Sequence, residues 1–299
     1  MRRCRCFRAA KSWRQADLRT GSRSSLVANR ELNPQLSLQS NLVDTHCHLA
    51  DPKLRVDLEA ILERARAAGL GMMVAVGAIG SIDIDRETVA IAERNADVYA
   101  AVGVHPHDAK DCDDERIAQL RDLAQSPRVV AIGESGLDFH YMHSPVEAQE
   151  VALRRQLELA AEVNRPIVIH CRDAEARLAA IVREVGMPPR GGVIHCFTGD
   201  AAAAREFLAL GFYISFSGIV TFKSAATLRE AAPMVPADRL LAETDAPYLA
   251  PEPYRGKVNE PAFVARTFDV LARLRNSDRD ALAAQIAANA ARVFGIAAA

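Results

Sequence analysis

Eight short apolar, β-branched runs recur along this chain, each separated from the next by a longer segment of helical period. They are Leu42–His48, Met72–Gly77, Val98–His105, Val129–Glu134, Pro166–His170, Gly192–Cys196, Phe212–Ser217 and Leu240–Asp245. Strands that alternate with helices form parallel sheets, because each crossover lays its helix on a face of the sheet. Eight such units in about 255 residues is the arithmetic of a closed (β/α)8 TIM barrel of the α/β class. An open doubly wound sheet competes with it. No Gly-x-Gly-x-x-Gly turn follows an early strand, which counts against the dinucleotide-binding version of that sheet.

Start signals support the helices between the runs. Asp51-Pro52 offers a cap and a first-turn proline ahead of Leu58, Ile61, Leu62 and Ala65 on one face. Ser144-Pro145-Val146-Glu147 has capping-box spacing before Leu153, Leu157 and Ala160, and Ser277-Asp278-Arg279-Asp280 opens a last helix through Leu282, Ile286, Ala290 and Val293.

Residues 1–40 are unlike the rest, with nine Lys and Arg against Asp17 and Glu31 and the only tryptophan, Trp13. Taking that +7 from the whole chain's −1 leaves −8 on the other 259 residues. The segment lacks the apolar core of a secretory signal and resembles an Arg-rich transit leader, but a basic, disordered extension accounts for it more simply. The expected organisation is therefore an extension over 1–40 and one barrel domain over 41–299. No apolar run reaches the ~18 residues of a membrane span. Six cysteines without framework spacing (Cys4, Cys6, Cys47, Cys112, Cys171, Cys196) suit free thiols in a reducing, cytoplasmic setting, with Cys47, Cys171 and Cys196 expected in the core.

Active sites of such barrels are built at the C-terminal ends of the strands. His46 and His48 stand there on strand 1, Glu134 on strand 4, His170 on strand 5, His195 on strand 6 and Asp245 on strand 8. Each alone has a structural explanation; four imidazoles and two carboxylates at one mouth point to metal. A pair of divalent ions ~3.5–4 Å apart needs an anionic bridge, for which Glu134 is placed. His46, His48, Glu134 and Asp245 are expected around one ion, and Glu134, His170 and His195 around the other. The donors suit zinc, manganese or magnesium. Metal-activated water makes the reaction a hydrolysis, with Asp245 the candidate to move the proton and Glu134 the bridge. Glu243 either orients a ligand or pairs inside the barrel. Strict alternation turns Thr45 and Cys47 outward and Asp44 inward.

These residues lie in Asp44-Thr45-His46-Cys47-His48, Gly103-Val104-His105-Pro106, Gly133-Glu134-Ser135-Gly136-Leu137-Asp138, Ile169-His170-Cys171-Arg172-Asp173, His195-Cys196-Phe197-Thr198-Gly199 and Glu243-Thr244-Asp245-Ala246-Pro247-Tyr248, with Arg255-Gly256-Lys257 and Asn259-Glu260-Pro261 further on. As a set they resemble the signatures of the TatD family of metal-dependent hydrolases, many of them deoxyribonucleases, from about residue 41 to 296. The resemblance implies an amidohydrolase-type barrel with two divalent ions and a DNA or short oligonucleotide substrate. Residues 1–40 are outside the family pattern.

The −8 of the body argues against broad electrostatic capture of duplex DNA, so local cations must hold phosphate. Arg172, His105, His107, Lys223, Arg255 and Lys257 sit on the loop side, and bases could stack on Tyr141, Phe139 or Tyr248. Such a site suits a single-stranded end, giving exonuclease-like phosphodiester hydrolysis. Amide or ester hydrolysis on the same barrel is the alternative; Glu134 stands where many such relatives use a carboxylated lysine. A non-catalytic binding barrel would require a broken ligand set.

Overall fold

The computed structural model describes residues 42–296. The basic extension, with Cys4, Cys6 and Trp13, lies outside the described residues. Strands β1 (Leu42–Cys47), β2 (Leu70–Val76), β3 (Val98–Val102), β4 (Val129–Asp138), β5 (Ile167–Arg172), β6 (Gly192–Ile194), β7 (Phe212–Phe216) and β8 (Leu240–Ala242) pair in parallel and in chain order. The ring is completed just past β8. Cys47 bridges Ala246 in parallel, His48 N donates to Ala246 O at 2.7 Å, and Asp245 N donates to His46 O at 2.9 Å. The expected (β/α)8 barrel forms, with its seam among residues that the sequence marks for function.

Helices α1 (Pro52–Arg55), α2 (Leu58–Ala67), α3 (Ile82–Arg94), α4 (Asp114–Leu123), α5 (Val146–Glu162), α6 (Glu175–Val185), α7 (Ala201–Ala209), α8 (Ala226–Ala231), α9 (Val264–Leu274) and α10 (Arg279–Phe294) follow the strands. Their apolar stripes are buried: Ile61, Leu62 and Ala65 on α2, Leu153, Leu157 and Ala160 on α5, Leu282, Ile286, Ala290 and Val293 on α10. Removing these stripes from water is the main stabilising term, at roughly 25 cal/mol per Å². Among the described residues no helix is long and apolar enough to cross a membrane.

Three local expectations are corrected. Asp51 caps through Lys53 N at 2.8 Å, but the segment behind it breaks into two helices, α1 and α2. The Ser144 hydroxyl does not cap α5, which starts behind Pro145 without a side-chain cap. It donates instead to His107 O at 2.7 Å and accepts from Lys110 N at 3.3 Å, because the turn after β3 needs a partner more than the helix does. Thr45 does not face the helices: its hydroxyl donates to Ala242 O and lies 3.1 Å from Ser215 Oγ on β7, two strands away. Only the barrel interior allows that reach. The register of β1 on β2 shifts between Asp44 and Cys47, and such irregularities re-aim side chains that alternation would send outward.

Candidate active site

β4 runs four residues past Glu134 and carries the carboxylate deep into the mouth between β3 and β5. Gly136 makes that close approach possible. Its φ is +142°, and a Cβ there would land on the carbonyl oxygen of His170. All eight histidines of the chain gather at or around this mouth, which is more than packing requires.

Two groups of donors face each other across Glu134. On one side His46 Nε2 lies 3.3 Å from His48 Nε2, 3.3 Å from Glu134 Oε2 and 3.8 Å from Asp245 Oδ1. His48 Nε2 lies 3.7 Å from Glu134 Oε2 and 3.4 Å from Asp245 Oδ1. Ligands bound at ~2.0–2.2 Å in a tetrahedron stand ~3.3–3.6 Å apart, so the atoms of His46, His48 and Glu134 are spaced much as an ion would space them, with Asp245 Oδ1 beside the two rings. On the other side Glu134 Oε1 lies 3.1 Å from His170 Nδ1 and 2.6 Å from His195 Nε2, and the two ring nitrogens are 3.5 Å apart. The residues present fit divalent metal.

What holds the rings decides which nitrogen is offered. His48 Nδ1 faces the carbonyl of Val76 at 3.0 Å, so it carries the proton and leaves the Nε2 lone pair free. Asp138 Oδ2 accepts from His170 Nε2 at 3.0 Å, and Glu243 Oε1 accepts from His195 Nδ1 at 3.2 Å. Glu243 is itself fully buried and is fixed by Ser215 Oγ at 2.5 Å and Cys196 N at 2.6 Å. His46 Nδ1 is buried without a partner, while its ring stacks on that of His195 at 3.9 Å.

Carboxylates and imidazoles packed this closely shift one another. Burial alone would raise Glu134, yet His195, His105 and His46 hold its carboxyl well below the usual range. Burial works against a charged His195, but Glu134 and Glu243 push that ring well above its ordinary value. Asp245 is likewise raised by burial and brought below its ordinary value by the hydrogen bond with His48 and the charges around it. Two buried carboxylates thus stay ionised beside one another's imidazoles.

The residues expected to hold substrate separate into two sets. Arg172, His105 and His107 line the cavity of about 390 Å³ above the donors, whereas Lys223, Arg255 and Lys257 are exposed and are not among its lining residues. Arg255 lies over the Phe222 ring at 3.9 Å and Lys257 over Tyr254 at 5.8 Å. His105 is not a cation, since burial lowers it to about 4. Its Nδ1 accepts from His107 N at 3.1 Å, so its proton sits on Nε2, 3.3 Å from Glu134 Oε1. It is a neutral donor to the carboxylate. Tyr141 and Tyr248 line the cavity, while Phe139 packs on the core. Cys47 is fully buried; Cys171 and Cys196 are only half-buried, in the cavity wall, and burial raises both thiols well above their ordinary value.

Sequence reasoning left Asp138 without a role. Its signal was present: Asp138 is an even number of residues past Glu134, the spacing that keeps two strand residues on one face.

The arrangement has close counterparts. Residues 43–295 match the family model described as TatD related DNase. The chain is 43% identical over 259 residues, 85% of this chain and 99% of the relative, to the uncharacterized metal-dependent hydrolase YabD of Bacillus subtilis. It is 38% identical over 261 residues to the 3'-5' ssDNA/RNA exonuclease TatD of Enterobacter lignolyticus, covering 86% of this chain and 100% of that protein. The crystal structure of YJJV, a TatD homolog from Escherichia coli, superposes with a TM-score of 0.81 at 33% identity, over 86% of this chain and 98% of that one.

Proposed function

The chain belongs to the TatD-related DNase family of metal-dependent hydrolases, and from that premise we propose that it removes nucleotides from single-stranded nucleic-acid ends by phosphodiester hydrolysis. One observation carries the reading: the two oxygens of Glu134 are divided between two donor groups, Oε2 toward His46 and His48, whose Nε2 atoms also face Asp245, and Oε1 toward His170 and His195. One divalent ion would be held by His46, His48, Glu134 and Asp245, and a second by Glu134, His170 and His195. When bound, the ions supply positive charge against the transferring phosphoryl group and make a nearby water more acidic.

The chain's own residues do the rest. Asp245, an ionised carboxylate in the cavity wall, takes the proton from the attacking water. The water oxygen bonds to phosphorus, the bond from phosphorus to the leaving sugar oxygen breaks, and Asp245 returns the proton to that oxygen. Glu134, held by the His105 donor, keeps both donor groups in register. Val76, Asp138 and Glu243 fix the tautomers of His48, His170 and His195, so that lone pairs face inward. By likeness to the relative named a 3'-5' ssDNA/RNA exonuclease, the end attacked is the 3' end.

The test is release of mononucleotides from a single-stranded oligodeoxynucleotide by the purified protein, with chelator and metal add-back. Activity should vanish with chelation and in Glu134→Ala and Asp245→Asn. Robust activity of Asp245→Asn would refute the proton path, and hydrolysis of esters or amides without phosphodiesters would refute the substrate.

A further inference from the structure

Tyr141 is an aromatic ring in an unusual place. It is 52% exposed in a chain whose large apolar side chains are mostly buried, and it stands at the cavity mouth. The Arg172 guanidinium lies 5.0 Å over its ring, and Arg172 is the only lysine or arginine among the residues lining that cavity. No carboxylate among the described residues pairs with this guanidinium within 4.0 Å, so its charge is available to a ligand. The opposite wall carries Tyr248, 38% exposed, its hydroxyl donating to Asp51 Oδ2 at 3.1 Å.

The turn that presents Tyr141 is built with the reacting centre. Asp138 Oδ1 accepts from Tyr141 N at 2.8 Å and His140 N at 3.0 Å, while Oδ2 of the same carboxylate accepts from His170 and from His107, each at 3.0 Å. Ser144 anchors the far side of the turn on His107 O. One carboxylate therefore ties the backbone that carries the ring to the donors, so less of the turn has to be ordered on binding.

We propose that Tyr141 and Arg172 form the docking surface for one unpaired base and its phosphate beside the bond that is cut. This deepens, and rests on, the nuclease reading. A base offers its flat face only when it is unpaired and splayed, so the surface selects single-stranded ends. With −8 on the body of the chain, long-range attraction is weak and stacking must supply much of the affinity. Arg172 adds one phosphate contact at the platform's edge.

The experiment is a cycle on the full-length protein stripped of metal, read as binding of a fluorescent single-stranded oligonucleotide, intact or with an abasic residue at one of the last three 3' positions. Tyr141→Ala should weaken binding of the intact strand by about 5- to 150-fold and leave binding of the matching abasic strand nearly unchanged. Tyr141→Trp should restore it, and Arg172→Met should reduce the slope of log affinity against log salt by ~0.7. In the metal-loaded enzyme the loss should fall on KM rather than kcat. Equal binding by Tyr141→Ala and the parent overturns the proposal, and so does an equal loss on intact and abasic strands, which marks a merely structural tyrosine. Coupling without any cutting by the parent counts against the nuclease reading alone.

Discussion

Replacing Asp138 by asparagine should invert one histidine. Asp138 Oδ1 accepts two backbone amides and Oδ2 accepts from two imidazoles. An asparagine keeps its oxygen toward the amides of His140 and Tyr141, since the other orientation would set donor against donor twice. Its NH2 then occupies the Oδ2 place and donates to His170 Nε2, which must become an acceptor. The ring proton moves to Nδ1, 3.1 Å from Glu134 Oε1, and the lone pair offered to an ion is lost. Removing an orienting partner of this kind costs ~10–100-fold in metal affinity, or ~1.4–2.7 kcal/mol. Two measurements check it: ion binding to chelator-stripped protein, counted at fixed free metal, and the ring nitrogen shifts of His170 by NMR. The variant should lose the ion assigned to Glu134, His170 and His195 and keep the turn. Parental affinity for both ions, or a His170 that still carries its proton on Nε2, would refute the reasoning.

Asp85 should make the protein less stable as pH rises. Its carboxyl is buried beneath Ala78 N and Gly103 N, and burial raises it from 3.8 to about 6. Between those values the folded state keeps a proton that the unfolded chain releases, so stability falls as pH climbs through the window, by about 3 kcal/mol in order of magnitude. Denaturant melts of Asp85→Asn beside the parent from pH 4 to 7 should show the difference growing in that sense, and parallel curves would contradict it. Gly136→Ala should cost at least about 2 kcal/mol, because the strained φ and the His170 carbonyl leave a methyl nowhere to go. A parental melting temperature would show that β4 and β5 can part more easily than their geometry implies.

The barrel was legible because every strand is a compact apolar run, and the gathering of His46, His48, Glu134, His170, His195 and Asp245 at one mouth because each stands at or near the end of such a run. His195 and Asp245 lie just beyond the regular strands β6 and β8, yet their place at the mouth follows from the strands alone. What the residues hid was contact between distant segments. His105 looks like a phosphate-binding cation until its ring is found buried, with Nε2 3.3 Å from Oε1 of Glu134 on another strand. Ser144 has capping-box spacing, but a carbonyl 37 residues away takes its proton. Thr45 follows strict alternation on paper and breaks it where β1 shifts register. In each case a long-range hydrogen bond outweighs a local preference of comparable size, about 1 kcal/mol.

The seam between β1 and the arm after β8 joins residues 200 positions apart, where Asp44 accepts from Thr244 N at 2.9 Å and Thr244 Oγ1 at 2.5 Å. His46, His48 and Asp245 straddle that same seam, so whatever they grip together acts as a staple between the first strand and the last. Closing so long a loop is entropically costly, and a staple there limits the freedom of the open chain more than one between neighbouring strands would. A fragment that stops between His195 and Asp245 has every other donor and still lacks the clasp.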